Sequence, residues 1–183
     1  MIINLPGDLL EFGVFKGGSL IQFATFRKLL ENERSRKIVG FDVFGEFPRS
    51  NHCKSDENFV NNWNKSFSRD FLSKEDLELS LEKKNIANVE LIKGDILETI
   101  DIYFHQYPAT RISLLHIDTD VYEPAKIILE KCYNRVVSGG IIVFDDYGVI
   151  EGETLAVDEF FSDKILSLKK FSFSHAKPSY IIK

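Results

Sequence analysis

Short apolar segments, each with an acidic residue at or just past its end, alternate along this chain with segments of helical periodicity. The apolar segments are residues 9–12, 38–41, 89–92, 112–117 and 141–144. Segment 112–117 is mostly apolar on both faces, as expected of a central strand in a parallel sheet. The repeated β-α order predicts a mainly parallel central sheet with helices on both faces, a Rossmann-like α/β fold. A chain of 183 residues suits one core, so we expect a single domain over residues 1–183.

Capping and turn residues predict where the helices lie between these strands. Ser19 is expected to cap the first helix, and Ser73 opens a capping box with Asp76. Residues 44–69 lack clean periodicity and predict a long loop with room for a short helix. The predicted helices cover residues 19–30, 73–84, a short segment ending at 103, 123–137 and 154–166. Two final strands are expected at residues 168–173 and 180–182.

Composition and charge exclude several classes of function. The formal net charge is −5 and no strongly basic patch occurs, so nucleic acid is not an expected partner. No apolar stretch approaches the roughly 20 residues that span a bilayer, and no signal peptide is indicated. The two cysteines, Cys53 and Cys132, have no metal-binding spacing and predict reduced thiols in a cytoplasmic protein.

Acidic residues fall at or just past the ends of five consecutive predicted strands. In open α/β sheets the ligand crevice lies at the carboxyl edge of the strands. One aspartate in such a position often only caps a turn. Five together predict an acidic rim around a single crevice, formed by Glu11, Asp42, Asp95, Asp118 and Asp145.

The first strand-to-helix loop, EFGVFKGGS at residues 11–19, suits a cationic ligand better than a phosphate. Its glycine spacing is neither the GxGxxG of dinucleotide sites nor a P-loop. S-adenosylmethionine (SAM) carries both a sulfonium and an ammonium group. Asp42 can accept both ribose hydroxyls of such a ligand. Asp95 can meet an adenine amino group, with Ile96 packed on the ring, and it can also cap the following helix.

The carboxylates of the fourth and fifth strand ends are expected to converge on a metal ion. Asp118 and Asp120 follow one strand, and Asp145 and Asp146 follow the next. Clustered carboxylates repel one another unless they are protonated or paired with a cation. Hard oxygen ligands at two adjacent strand ends fit Mg²⁺. His116, on the strand itself, is expected to be a packed core histidine.

These segments together resemble the macrocin O-methyltransferase (TylF-like) family of SAM- and Mg²⁺-dependent sugar O-methyltransferases. The resemblance runs over residues 7–161 and is weakest at the C-terminus. The segments that carry it are GDLLEFGVFKGGS at 7–19, FDVFGEFP at 41–48, KGD at 93–95, HIDTDVYEP at 116–124, GGIIVFDDY at 139–147 and AVDEF at 156–160.

The resemblance implies roles for individual residues. Asp118, Asp145 and Asp146 would be the magnesium ligands, and Asp120 the general base. Glu11 and Gly13 would cradle the methionine end of SAM, Asp42 would bind the ribose and Asp95 the adenine side. The predicted cofactor-binding set is Glu11, Phe12, Gly13, Gly17, Ser19, Asp42, Asp95 and Ile96.

The chain departs from the family pattern in two places. Residues 45–48 read GEFP where relatives commonly have EGLP. The chain also begins almost at its first strand, where relatives carry an N-terminal helical segment. The apolar residues 1–6 then have little of the chain to cover them, and we expect a homo-oligomer.

The predicted reaction is methyl transfer from SAM to a hydroxyl of a sugar or sugar-containing small molecule, with Mg²⁺ as a Lewis acid and Asp120 as the base. A catechol-type phenol is an alternative acceptor, since vicinal oxygens would meet the same acid cluster. A nucleotide-binding Rossmann protein without methyl transfer is a second alternative, which the glycine spacing disfavours. A non-catalytic relative is a third, which the intact carboxylates disfavour.

Overall fold

A seven-stranded, mostly parallel sheet forms the centre of the molecule, as the β-α order predicts. The computed structural model describes residues 2–50, 52–67, 70–164, 167–175 and 177–183. The strand order is β3-β2-β1-β4-β5-β7-β6, and strands β1 to β5 are mutually parallel. The strands are β1 Asp8–Phe12, β2 Ile38–Asp42, β3 Val89–Lys93, β4 Ile112–Ile117, β5 Val136–Phe144, β6 Lys169–Lys170 and β7 Ser179–Ile182.

Six α-helices connect the strands in the part of the chain that the structure describes, and they pack on the two faces of the sheet as two core clusters. They are α1 Gly18–Leu30, α2 Lys54–Phe67, α3 Lys74–Lys83, α4 Ile96–Gln106, α5 Tyr122–Cys132 and α6 Glu151–Phe160. Because side chains alternate along a strand, Leu9 packs with α1 and α3 on one face of the sheet. Leu10 and Phe12 pack with α4, α5 and α6 on the other face. No helix among the described residues is both long enough and apolar enough to span a bilayer.

The prediction of a long loop with room for a short helix over residues 44–69 was only partly right, because a helix of 14 residues, α2, occupies 54–67. Its sequence is rich in Asn and Ser, which are poor helix formers. However, Phe59, Trp63 and Phe67 recur at a spacing of four and form one aromatic face. Packing of that face therefore outweighs the weak intrinsic propensity. Residue 69, the last of the predicted loop, lies outside the described residues.

Helix boundaries also differ from the predictions. Helix α1 begins at Gly18, and its cap is Gly17 in the left-handed conformation, so Ser19 is not the cap. Helix α6 begins at Glu151 instead of residue 154, and it ends at Phe160, well before the predicted end near residue 166. The Ser73 cap of α3 is confirmed, since its hydroxyl accepts a hydrogen bond from the Asp76 amide.

Strand β5 is longer than predicted, because a glycine pair lies inside it. Helix α5 ends at Cys132 rather than near residue 137, and β5 begins at Val136. The register against β4 shifts between Ile112 and Leu114, which marks a bulge. Gly139 adopts a φ of +82°, a backbone conformation that residues other than glycine rarely adopt. Glycines that read as a turn in the sequence therefore let the strand bulge and continue.

The N-terminal segment is held by its own chain. The guanidinium of Arg36 donates to the carbonyl oxygens of Ile2 at 3.1 Å, Leu5 at 3.3 Å and Gly7 at 3.0 Å. Residues 2–7 are therefore anchored against the loop that precedes β2, although the side chains of Ile2, Ile3 and Leu5 are only half-buried. The predicted homo-oligomer stays a prediction.

Candidate active site

A cavity of about 500 Å³ opens at the carboxyl ends of the parallel strands, where the sequence predicts the ligand crevice. It runs from the glycine loop to the acidic strand ends. Eight of the predicted site residues line it: Gly13, Asp42, Asp95, Ile96, Asp118, Asp120, Asp145 and Asp146. The other four predicted residues, Glu11, Phe12, Gly17 and Ser19, are not among its lining residues.

Gly13 brings the first loop into direct contact with the end of β4. Its φ is +89°, and a Cβ atom added there would lie 1.7 Å from the carbonyl oxygen of Asp118. The Asp118 amide in turn donates to the Phe12 carbonyl oxygen at 2.9 Å. Only glycine allows this approach, so the residue joins the two halves of the crevice.

Asp42 holds the glycine loop through the backbone. Its Oδ2 atom accepts hydrogen bonds from the amides of Val14 at 2.7 Å and Phe15 at 2.8 Å. Its Oδ1 atom accepts from the Phe44 amide at 2.6 Å. Each carboxylate oxygen has more than one lone pair, so these bonds leave acceptor capacity for a ligand. Asp42 therefore shapes the loop as well as facing the cavity.

The third predicted carboxylate, Asp95, caps helix α4. Its Oδ1 atom accepts from the Leu97 amide at 2.9 Å, which satisfies one of the free amides of the first helical turn. The predicted capping role is therefore confirmed. Ile96 follows in the same turn and is buried against the core while also lining the cavity.

Glu11 lies behind the cavity wall, in a buried polar chain that includes His116. The register pairs Glu11 of β1 with His116 of β4. Glu11 Oε1 accepts from the Ser19 hydroxyl and lies 3.0 Å from His116 Nδ1. His116 Nε2 lies 3.7 Å from Asp145 Oδ1. His116 is therefore buried as predicted, and it also links the first loop to the acid cluster.

The environment of His116 favours its charged form. Burial alone lowers its pKa, but the interactions with the Asp145 and Glu11 carboxylates raise it to about 10. The interaction with His116 in turn lowers the pKa of Asp145. Glu11 is fully buried, and its Oε2 atom has no hydrogen-bond partner among the described residues.

The remaining two predicted residues have packing roles. Phe12 stacks on Phe41 with ring centroids 4.4 Å apart, inside the core. A Cβ atom at Gly17 would lie 2.5 Å from the Leu77 side chain, so this glycine lets helix α1 approach α3. Any contact of either residue with the cofactor stays a prediction.

The four carboxylates at the adjacent strand ends lie close together, but they fall into two overlapping groups and the predicted ligand set of Asp118, Asp145 and Asp146 does not form a single one. Oxygen atoms of Asp118, Asp120 and Asp146 all lie within 4.8 Å of one another, and so do ligand atoms of His116, Asp118 and Asp145. Burial and the charge of Asp145 raise the pKa of Asp118 to about 7. Burial and the charges of Asp146 and Asp118 raise that of Asp120 to about 9. Without a cation, the cluster therefore binds protons tightly.

Two further charged residues, Glu153 and Lys177, complete the cluster and were not predicted. Glu153 is fully buried, its Oε1 accepts from the Asp146 amide at 3.0 Å, and its own amide donates to the Asp120 carbonyl oxygen at 3.2 Å. Burial raises its pKa to about 8. The ammonium of Lys177 lies 2.6 Å from Asp146 Oδ1. The acidic residues predicted for the cluster lie at the ends of predicted parallel strands. Glu153 and Lys177 do not lie at such ends, so the sequence pattern missed them.

Aromatic side chains form part of the cavity lining and are called the aromatic wall below. The wall consists of Phe15, Phe47, Phe59 and Trp63. The rings of Phe15 and Trp63 lie 5.5 Å apart edge to face, and those of Phe59 and Trp63 are stacked at 5.8 Å. Such contacts favour a fixed arrangement of the rings. Helix α2 therefore supplies an apolar surface to a cavity that also holds the carboxylates.

Asp56 fixes this wall to the rest of the domain. It is buried on α2, and its Oδ2 atom accepts from the Tyr122 amide at 3.0 Å. Helix α5 has no side-chain cap from its own segment, so Asp56 caps it from a distance. A Cβ atom at Gly152 would lie 2.5 Å from Asp56 Oδ1, so α6 also packs against it closely.

We expect Asp56→Ala to lower the free energy of unfolding by about 1–3 kcal/mol, because the Tyr122 amide would be buried without an acceptor. Urea denaturation measures this difference. Asp56→Asn is the matched control, since an amide oxygen can still accept the bond, and its loss should be smaller. Equal stability of Asp56→Ala and the wild type would contradict the capping role.

Comparison with known proteins agrees with the resemblance carried by residues 7–161. Residues 2–169 match the macrocin-O-methyltransferase (TylF) family. The mycinamicin III 3''-O-methyltransferase of Micromonospora griseorubida is 28% identical over 153 residues, which cover 79% of this chain and 56% of the relative. The 8-demethyl-8-(2,3-dimethoxy-alpha-L-rhamnosyl)-tetracenomycin-C 4'-O-methyltransferase of Streptomyces olivaceus is 25% identical over 151 residues, 80% of this chain and 55% of the relative. The chain thus spans little more than half the length of these curated relatives.

The fold also matches a solved structure. The O-methyltransferase NovP superposes with a TM-score of 0.81 at 22% identity, over 98% of this chain and 73% of NovP. At this identity the likeness concerns the fold alone. It confirms the predicted Rossmann-like class I SAM-dependent methyltransferase fold.

Proposed function

Because this chain belongs to the macrocin-O-methyltransferase (TylF) family, we propose that it transfers a methyl group from SAM to a hydroxyl of a sugar or sugar-containing small molecule. One structural observation supports the proposal independently of family membership. A single cavity joins the glycine loop, Asp42 and Asp95 to the acid cluster of Asp118, Asp120 and Asp146. A methyl donor and an acceptor hydroxyl therefore have space side by side.

The residues of the first three strand ends fit SAM. The Oε2 atom of Glu11 has no hydrogen-bond partner among the described residues, and an ammonium group that reached behind the cavity wall would satisfy it. Gly13 leaves the backbone open where a side chain would block it. Asp42 Oδ1, which accepts one loop amide, would accept from a ribose hydroxyl. The second carboxylate oxygen of Asp95 would accept from the adenine amino group. Bound there, SAM would supply the methyl group.

The donor set of the acid cluster fits a divalent cation. Asp118 belongs to two groups of ligand atoms that each lie within 4.8 Å of one another, one with Asp120 and Asp146 and one with His116 and Asp145. Asp118, Asp145 and Asp146 would hold Mg²⁺, which would supply Lewis acidity and lower the pKa of an acceptor hydroxyl. His116 orients Asp145 from behind, as partners of metal ligands commonly do.

Asp120 would accept the proton of the acceptor hydroxyl. It lies two residues beyond Asp118 and lines the cavity beside it. Its carbonyl oxygen is held by the Glu153 amide at 3.2 Å, so α6 fixes the base in position. The aromatic wall would cover the acceptor and limit access of water. A catechol-type phenol is a second candidate acceptor, because that same wall suits an aromatic ring.

We expect Asp42→Ala to bind SAM about 10- to 100-fold more weakly than the wild type, because a charged acceptor and three loop hydrogen bonds are lost. Calorimetric titration with SAM measures this, with NAD as a ligand that should not bind. Asp101→Ala, on the exposed face of α4, is the matched control. Methyl transfer from SAM is then assayed on a panel of glycosides and catechols with Mg²⁺. Binding of NAD but not of SAM would overturn the proposal.

A further inference from the structure

Lys177 lies where the antiparallel end of the sheet meets the acid cluster. Strand β7 runs antiparallel to β5, and the register pairs Phe144 with Ser179. Asp146 lies two residues after the end of β5, and Lys177 lies two residues before the start of β7. The Lys177 ammonium lies 2.6 Å from Asp146 Oδ1, and Lys177 also lines the cavity. The ion pair therefore joins the segment before β7 to the acid cluster.

The two side chains of this ion pair differ in exposure and in conformational freedom. The Asp146 side chain is 4% exposed and is fixed through its backbone amide by Glu153. The Lys177 side chain is 48% exposed and ends a flexible four-carbon stem. The carboxylate is therefore a fixed acceptor, whereas the ammonium can leave it for solvent. Salt screening and exposure limit how strongly such an ammonium is held.

We propose that Lys177 competes with the divalent cation for Asp146. The ammonium pairs with the carboxylate while no divalent cation is bound, and it leaves Oδ1 when the cation arrives. The inference rests on the proposed function only in assigning Asp146 to a metal site. The new element is that Lys177 lowers the cation affinity of this site. Lys177 lies outside residues 2–169, the segment that matches the family.

The ion pair between Lys177 and Asp146 has two effects on cation binding by the cluster. An ammonium close to Asp146 offsets part of the repulsion among Asp118, Asp120 and Asp146 in the metal-free chain. It also adds a positive charge that a divalent cation must displace. Both effects weaken cation binding relative to a cluster without the lysine. The raised pKa of Lys177, caused first by its hydrogen bond with Asp146, is consistent with this pairing.

The test is calorimetric titration of the full chain with Mn²⁺ in the absence of SAM. We expect Lys177→Met to bind Mn²⁺ about tenfold more tightly than the wild type, because a charge-assisted hydrogen bond no longer opposes binding. Lys177→Arg retains a cation and should stay close to the wild type. Lys170→Met is the matched control, since Lys170 lies in the same segment and donates to the Ser174 carbonyl oxygen away from the cluster. Asp146→Asn should lose most of the affinity.

Thermal unfolding gives a second readout that does not depend on catalysis. Mn²⁺ should raise the melting temperature of Lys177→Met more than that of the wild type. Equal or weaker Mn²⁺ binding by Lys177→Met would overturn the competition and leave the metal site standing. Binding by neither the wild type nor Lys177→Met would overturn both the competition and the metal assignment. If Lys177→Met does not fold, Lys177→Gln takes its place with the same expectations.

Discussion

Asp120→Asn is expected to slow methyl transfer by about 10²- to 10⁴-fold, the usual contribution of a general base, while SAM binding is unchanged. The substitution removes the proton acceptor and little else. Asp120 has a φ of +61°, a left-handed conformation that asparagine tolerates better than most residues. The loop, which the Glu153 amide holds at the Asp120 carbonyl oxygen, should therefore keep its shape.

Alanine at this position would be a poorer test, because its strain at positive φ would mix a structural effect with the chemical one. The measurements are kcat with saturating SAM and acceptor, and the Kd for SAM by calorimetry. A variant that keeps turnover within about threefold of the wild type would exclude Asp120 as the base. A variant with equally weakened SAM binding would show that the loop itself had moved.

The sequence predicted the parts of the site that depend on the ends of parallel strands. Asp42, Asp95, Asp118 and Asp145 all line one cavity, since the carboxyl ends of parallel strands share one edge of a sheet. Their hydrogen bonds were less predictable. The three backbone amides on Asp42 depend on how the glycine loop turns, which residue types and spacing do not determine.

The parts that escaped prediction depend on tertiary contacts. The aromatic face of helix α2 stabilises the helix only when Phe15 and Phe47 pack against it, and both lie outside the helix. Lys177, two residues before β7, pairs with Asp146, two residues after β5, because β7 lies beside β5 in the sheet. Gly139 reads as a turn, and only the pairing of β5 with β4 reveals a bulge. In each case the deciding partner is distant in sequence.

Removal of divalent cations is expected to reduce methyl transfer by about a hundredfold or more, because Lewis acidity at the acceptor oxygen is lost. The carboxylates of Asp118, Asp120 and Asp146 would then repel one another or take up protons. The measurement is methyl transfer by the chelator-treated chain, before and after addition of Mg²⁺. Asp145→Asn should mimic chelation while it still binds SAM, which other strand ends are proposed to hold.

The cation should also change how stability depends on pH. In the metal-free chain the pKa of Asp118 is about 7 and that of Asp120 about 9, both above the values of unfolded carboxyls. Such groups stabilise the fold fully only below the unfolded pKa, near 4, and this contribution is lost as the pH rises through 7 to 9. A bound cation removes that loss, because it favours the ionised carboxylates. Mg²⁺ should therefore raise the melting temperature more at pH 8.5 than at pH 6. Full activity after chelation, together with a pH-independent effect of Mg²⁺ on melting, would remove the metal from the mechanism.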